Sequence, residues 1–263
     1  MRKILWVLAV ILPTLFAGCE QNSSKKFDNP QQQAFDDFLA KKRESSYRQN
    51  NDIQKKEYYN QFEKDLISYV DSVGLFVNWQ GVIEKIETTE SGNTTALKFS
   101  ITYQPEQYRK ITFRCTHLIT TDSLNNDYIY NTVKNMPNYM VVYFDGFIRT
   151  KNNDEVDYYM SSAGSDLNIA YPDYEFWITD ISSEKRSNLL SPNMQNAVTI
   201  AYKINDPLKK QYMGLITKEE SDRQFNELLP SFNQAKNELT DSEKQYIQRL
   251  NTCLTYNYLY GGK

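Results

Sequence analysis

The chain has 263 residues, a net charge of −3, 40% hydrophobic residues and 14% aromatic residues. This length and apolar content suit one moderate domain with extensions. Twenty Tyr and thirteen Phe against nine Gly are typical of a folded chain, which excludes wholesale disorder. The acidic balance supplies no electrostatic attraction to phosphate backbones or anionic membranes, so nucleic acid is not expected as a partner.

The beginning of the chain has the pattern of an export signal. Two basic residues precede an apolar run over residues 4–17, which is too short to span a bilayer comfortably. The run ends in Leu-Phe-Ala-Gly-Cys, which resembles the lipobox of bacterial lipoproteins. This resemblance implies that residues 1–18 are a lipoprotein signal peptide and that Cys19 receives lipid chains such as palmitate. The alternative is a plain signal followed by a chance cysteine.

The residues around the cysteine indicate the cellular location of the mature protein. Removing residues 1–18 leaves 28 basic and 33 acidic side chains. The next residue is Glu20 rather than Asp, and by resemblance to enteric lipoproteins this implies the periplasmic face of the outer membrane. Several acyl chains on Cys19, at ~0.8 kcal/mol per buried CH₂, would hold the protein there. Residues 19–29 are predicted to form a polar tether.

Residues 30–73 are predicted to be a helical segment. Asn29-Pro30 is a helix-start signal, because proline is favoured at the first helical position. Apolar residues then recur at helical spacing as far as Val73, with charged residues between them. The pattern leaves two alternatives open: one long helix, or two helices with a break near residues 49–52.

The apolar period then changes to that of strands. Strands are predicted over residues 95–103, 111–119, 139–148 and 174–181. The short link between the first two of these predicts a hairpin. A helix capped by Thr121-Asp122 is predicted to lie between the second and the third.

The stretch LFVNWQGVIEKIE, residues 75–87, predicts a long bent strand. Its first half places Leu75, Val77 and Trp79 on one face. The alternation slips at Gly81, where a strand can bend or bulge so that each half joins a different side of a barrel. With two hairpin strands, a helix and two more strands after it, this strand completes the element order of an OB-fold barrel.

Three short motifs carry a resemblance to known OB-fold domains. They are Trp79-x-Gly81-x-Ile83-x-x-Ile86, Val142-x-Phe144-x-Gly146 and Phe176-x-Ile178-x-Asp180-Ile181. Over residues 74–182 the chain is similar to the anticodon-binding-like OB domains of bacterial lipoproteins. The resemblance implies the barrel and not a ligand.

Residues 183–263 are predicted to hold a linker, a possible strand over residues 197–204 and C-terminal helices. Sequences with capping-box spacing begin at Thr217 and Thr240, and each precedes an apolar helical stripe, which predicts a helical hairpin. The fold class is therefore α+β: an OB-fold-like five-stranded β-barrel flanked by an N-terminal helical segment and a C-terminal helical hairpin.

The sequence contains no pattern that carries catalysis. His117 is the one histidine, and its place on the apolar side of a predicted strand favours a structural role in the barrel interior or at its rim. Nucleophile, metal-ligand and nucleotide-binding motifs are absent from the sequence. We therefore predict no catalytic residue, metal or cofactor, and do not expect an enzyme. Cys115 and Cys253 are predicted to be separate buried thiols, with a disulfide as the alternative.

A small basic group suggests where a ligand could bind. Lys98, Arg109 and Arg114 form a candidate ligand face on strands two and three, where OB barrels stack bases or sugars on aromatic rings. The leading hypothesis is a non-enzymatic, membrane-anchored envelope lipoprotein whose barrel is a protein-interaction module for an envelope protein. The alternative is an oligosaccharide- or nucleotide-binding module that uses this face. The aromatic residues near the last strands, interpreted mainly as structural, are Tyr139, Tyr143, Tyr158, Tyr159, Tyr171, Tyr174 and Trp177.

Overall fold

A computed structural model describes residues 27–106, 109–151, 155–158, 166–187 and 189–260. The signal peptide, Cys19 and Tyr159 therefore lie outside the described residues.

Five strands form a closed barrel at the centre of the molecule. They are β1 (Phe76–Ser91), β2 (Thr94–Glu106), β3 (Arg109–Thr120), β4 (Val141–Ile148) and β5 (Asp173–Ser182). The order around the barrel is β1-β2-β3-β5-β4, and only the β3–β5 pairing among these is parallel. This topology is compatible with an OB-like fold, so the predicted five-stranded barrel with flanking helices is confirmed.

The long strand β1 serves two sides of the barrel. Residues 76–82 pair with β4, and residues 82–91 pair with β2. The register slips at Asn78 and Lys85, whose φ angles are 53° and 56°, and not at Gly81. Gly81 is needed for a different reason: a Cβ there would lie 2.5 Å from the side chain of Ile101. The strand therefore bends by two bulges, with a close approach between them.

The bulge at Asn78 changes which residues share a face. Trp79 lies in the barrel core, whereas Leu75 and Val77 pack against the C-terminal helices. The prediction that these three share a face is wrong, because the extra residue at position 78 reverses the alternation.

Two helices precede the barrel, α1 (Pro30–Ser46) and α2 (Asp52–Val73), which agrees with the alternative of a break near residues 49–52. Asn29 caps α1 by accepting hydrogen bonds from the amides of the next turn. The side chains of Gln31 and Gln32 bond to the backbone of β1, for example Gln32 Nε2 to Gln80 O at 2.8 Å. Amide side chains thus satisfy backbone groups of β1 that no strand pairs with.

The connection between β3 and β4 differs from the predicted helix. A 3-10 helix, Thr121–Asn126, comes first, and the α-helix α3 spans only Tyr128–Val133. Its cap is Asp127, which accepts from Tyr130 N at 2.8 Å, so the predicted cap at Thr121-Asp122 is wrong. A short helix, α4 (Asp166–Ala170), precedes β5.

Three helices follow the barrel: α5 (Pro192–Tyr212), α6 (Lys218–Asn237) and α7 (Asp241–Tyr260). The possible strand over residues 197–204 is wrong, because this segment lies inside α5. Ser191 caps α5, and Ala197, Ala201 and Ile204 recur at helical spacing to form its buried stripe. The predicted hairpin of two helices is thus a group of three.

The molecule has two apolar clusters. One fills the barrel and extends to α1 and α2, where Phe35 and Leu66 are fully buried. The other lies between the C-terminal helices and the outside of the barrel, around Phe147 and Trp177. The surface between the barrel and α7 is therefore an internal junction, and the candidate site lies along it.

Candidate functional site

A groove runs between the barrel and α7. The predicted apolar stripe of α7, from Tyr246 to Leu254, packs against the outside of the barrel. Beside that stripe lie two adjoining cavities of about 330 Å³ each, and polar residues form part of their lining. Tyr128, Gln245 and Arg249 line both cavities, and we call the pair of cavities the α7 groove. Its further side chains discussed below are His117, Asp127, Asp145, Trp177, Asp180, Arg186, Gln248 and Thr252.

His117 lies at the rim of the barrel, at one end of the groove. Its Nε2 atom lies 2.9 Å from both carboxylate oxygens of Asp127. Burial would raise the pKa of Asp127, but the hydrogen bonds from His117 and from Tyr130 N, together with the nearby Arg249, outweigh burial, and the pKa lies below the ordinary 3.8. The same carboxylate caps α3, so the pair holds the β3–α3 connection in place.

Arg249 projects from α7 between the two cavities and is held in one orientation. Its Nε atom donates to Thr179 O at 2.8 Å, and its guanidinium carbon lies 4.4 Å from the ring centre of Tyr128. Nη2 lies 3.7 Å from Asp180. No described residue accepts a hydrogen bond from Nη1. A positioned N–H edge therefore remains available in the groove.

The second cavity is floored by a buried carboxylate. Asp145 is 2% exposed and accepts hydrogen bonds from Asn78 N (2.7 Å), Arg186 Nη2 (2.7 Å) and Tyr246 Oη (2.9 Å). Burial raises the pKa of Asp145, although Arg186 opposes the shift. Arg186 also pairs with Asp180. This network joins β1, β4, β5, α7 and the segment after β5.

The structure brings only two of the three predicted ligand-face residues together. Lys98 is exposed on the outside of β2, and Arg114 lies on the same outer face of β3, where it pairs with Asp173 at 2.7 Å. Arg109 is fully buried and pairs with Asp36 of α1. It therefore connects α1 to the barrel instead of joining the outer face, and loss of either partner alone would leave a buried charge uncompensated.

The aromatic side chains do not form a platform on that face. Tyr158, Tyr174 and Trp177 are buried, whereas Tyr139 and Tyr171 are exposed at 77% and 54%. Along the described parts of β2 and β3, the outward positions carry no aromatic ring. These positions include Thr94, Ala96, Lys98, Ser100, Thr102, Lys110, Thr112, Arg114, Thr116, Leu118 and Thr120.

The two cysteines are separate buried thiols, as predicted. Burial raises the pKa of Cys253 to about 12, and it raises that of Cys115 well above its ordinary value. Within the described ranges, no group of three or more His, Cys, Asp or Glu side chains is arranged to hold a metal ion. A search of those same ranges for a membrane-spanning helix gives none of sufficient length and apolarity.

The sequence predicted part of this site and missed the rest. It singled out His117 and the apolar stripe of α7, but not Arg249, Asp145 or Arg186. These three lie far apart in the chain, and no local pattern joins them. Comparison with known proteins adds no relative: no protein-family model, no curated protein and no solved structure matches the chain.

Proposed function

We propose that this chain is a non-enzymatic lipoprotein of the cell envelope. In this proposal, Cys19 anchors it by lipid at the periplasmic face of the outer membrane. The OB-like barrel is a scaffold, and together with its helices it presents a binding surface to an envelope protein.

The observation that carries the proposal is the exposed surface of α6 and of its connection to α5. This helix has 20 residues, of which only Ser221 and Ala235 are buried. At the same end of the α5–α6 hairpin, Tyr212, Leu215 and Phe225 are exposed at 42%, 66% and 41%. Grouped exposed apolar side chains are typical of protein interaction sites. We call these three residues the α6 surface.

The non-enzymatic part of the proposal has its own support. His117 and Asp127 bond to each other, and Asp127 also caps a helix. The thiols of Cys115 and Cys253 are buried with raised pKa values, which disfavours the nucleophilic thiolate. These four groups thus have structural explanations.

The alternative of a nucleotide- or oligosaccharide-binding face on β2 and β3 gains no support from the geometry. Arg109 is buried elsewhere, Asp173 compensates Arg114, and no aromatic ring lies outward on the described parts of these strands. Stacking needs such a ring, so we do not favour this face.

The α6 surface can be tested by cross-linking. A photo-reactive residue in place of Asp222, which lies on the same helix as Phe225 and one turn before it, would capture a bound protein in envelope extracts. We expect one product to form with the otherwise unchanged chain and to be lost when Leu215→Ser and Phe225→Ser are combined. Ile53→Ser is the matched control, because Ile53 is 73% exposed in the first turn of α2. Equal loss with the control, or no loss with the pair, would contradict the proposal.

The lipid anchor needs its own experiment. Cys19→Ser should abolish incorporation of labelled palmitate and leave the protein either uncleaved or released in soluble form. Labelling of the substituted protein would overturn the assignment of Cys19.

A further inference from the structure

The α7 groove contains hydrogen-bonding groups that no described residue uses. The side-chain amides of Gln245 and Gln248 lie one helical turn apart on α7, and neither bonds to another described residue. The Nη1 edge of Arg249 lies beside them and is equally unpaired among those residues. The amides can both donate and accept, and the guanidinium donates. The groove therefore offers a short row of polar groups, of which the two amides are exposed to solvent and the guanidinium is held in place.

The charges around the groove carry a negative excess. Arg186 pairs with both Asp145 and Asp180, and His117 bonds to Asp127. With Glu243, four carboxylates and two arginines line the groove among the described residues, which disfavours an anionic ligand. Tyr128 is 42% exposed at the edge of the groove and adds apolar ring surface, with the guanidinium of Arg249 over its ring.

We propose that the α7 groove binds a neutral saccharide. A pyranose ring has a rim of hydroxyl groups that donate and accept, together with patches of C–H. The amides and the guanidinium match the hydroxyl groups, and the part of the Tyr128 ring that the guanidinium leaves exposed matches the C–H patches. The cavity beside His117, at about 330 Å³, lies at the small end of the range for ligand sites, which suits one or two sugar units. This site is distinct from the outer face of β2 and β3 and from the α6 surface.

A glycan array followed by titration tests the inference. The full-length chain, in a detergent without a sugar headgroup, is applied to neutral di- to tetrasaccharides of glucose, galactose, mannose and N-acetylglucosamine. The best binder is then titrated while tryptophan fluorescence is followed, because Trp177 lines the groove. We expect saturable binding that Gln248→Ala and Arg249→Lys each weaken by about tenfold, or ~1.4 kcal/mol.

Two sets of variants locate the site. Gln234→Ala removes an exposed glutamine from α6 and should leave affinity unchanged. Lys98→Ala and Arg114→Ala alter the outer face of β2 and β3 and should also leave it unchanged. The inference is overturned if no neutral saccharide binds saturably. It is equally overturned if Gln248→Ala binds like the unchanged chain, or if the outer-face variants cause the loss.

Discussion

The barrel interior and the α7 junction both contain packed apolar side chains, but only the junction is built around the buried carboxylate of Asp145. In the interior, apolar rings pack on one another: Phe76 and Trp79 stack with centroids 4.0 Å apart, and Phe113 and Phe144 lie nearby. At the junction, a buried carboxylate collects three hydrogen bonds and two arginines lie close by. Packing determines the stability of the first region, whereas that of the second depends on packing and also on the satisfaction of buried polar groups. We therefore expect substitutions in the two regions to lower the stability of the protein for different reasons.

The largest effect is expected in the interior. Trp79→Ala would leave a large cavity in the barrel and should lower the free energy of unfolding by ~3–5 kcal/mol. Chemical denaturation followed by circular dichroism measures the loss. A loss below about 1 kcal/mol would show that the interior can collapse around the cavity, contrary to the comparison.

The junction should respond more to chemistry than to size. Asp145→Ala would leave Asn78 N, Arg186 and Tyr246 Oη without their acceptor, and we expect a loss of ~2–4 kcal/mol. Asp145→Asn keeps an acceptor oxygen and should cost about half as much. Hydrogen exchange should show faster opening of α5 to α7 than of the barrel strands. Equal losses for both variants would argue that packing, not bonding, governs the junction.

The bend of β1 gives a third, smaller test. Gly81→Val should cost ~1–3 kcal/mol, because its Cβ would lie 2.5 Å from the side chain of Ile101 and the barrel wall would have to shift. Thr89→Ala, at an exposed position on the same strand, is the control and should change stability by less than about 0.5 kcal/mol. Unchanged thermal unfolding of the valine variant would contradict the close approach.

The smallest effect on the free energy of unfolding is expected for the pair of His117 and Asp127 at the rim of the groove. Asp127→Asn keeps an acceptor for the helix cap but removes the charge beside His117, at a cost of about 0.5–1 kcal/mol near pH 7. Since the folded pKa of Asp127 is depressed, its stabilising contribution is present above the ordinary 3.8 and is lost as the pH falls through the folded value. The difference between the two proteins should therefore shrink below about pH 4. Denaturation curves at about pH 7 and about pH 3 measure the difference in the free energy of unfolding between the two proteins. The same difference at both pH values would refute the stabilising role of the Asp127 charge.

Local patterns of the sequence predicted the parts of the fold that depend on neighbours in the chain. Strands β2 and β3 alternate as expected, Asn29 caps α1, and Thr240 exchanges capping bonds with Glu243. The wrong prediction of a strand over residues 197–204 arose from competing local patterns. The β-branched residues there favour a strand, but residues at helical spacing are buried and the segment belongs to α5.

The site itself was less predictable, because its geometry is not local. The bulge at Asn78 depends on contacts with Asp145 and Arg186, which lie 67 and 108 positions further along the chain. The sequence predicted that Arg109 belongs to a basic face, but in the structure it pairs with Asp36 of α1. Partners of this kind follow only from the three-dimensional arrangement.

The double pairing of β1 also has a consequence for the order of folding. The β2–β3 hairpin and the α5–α6 hairpin join neighbouring segments and can form early. The barrel closes only when Phe76 meets Gly146, about 70 positions later, and when β5 inserts beside β3. Such non-local pairing is slow compared with hairpin formation. A chain interrupted before β4 would leave half of β1 unpaired and its aromatic face exposed, which makes late closure the step most open to aggregation.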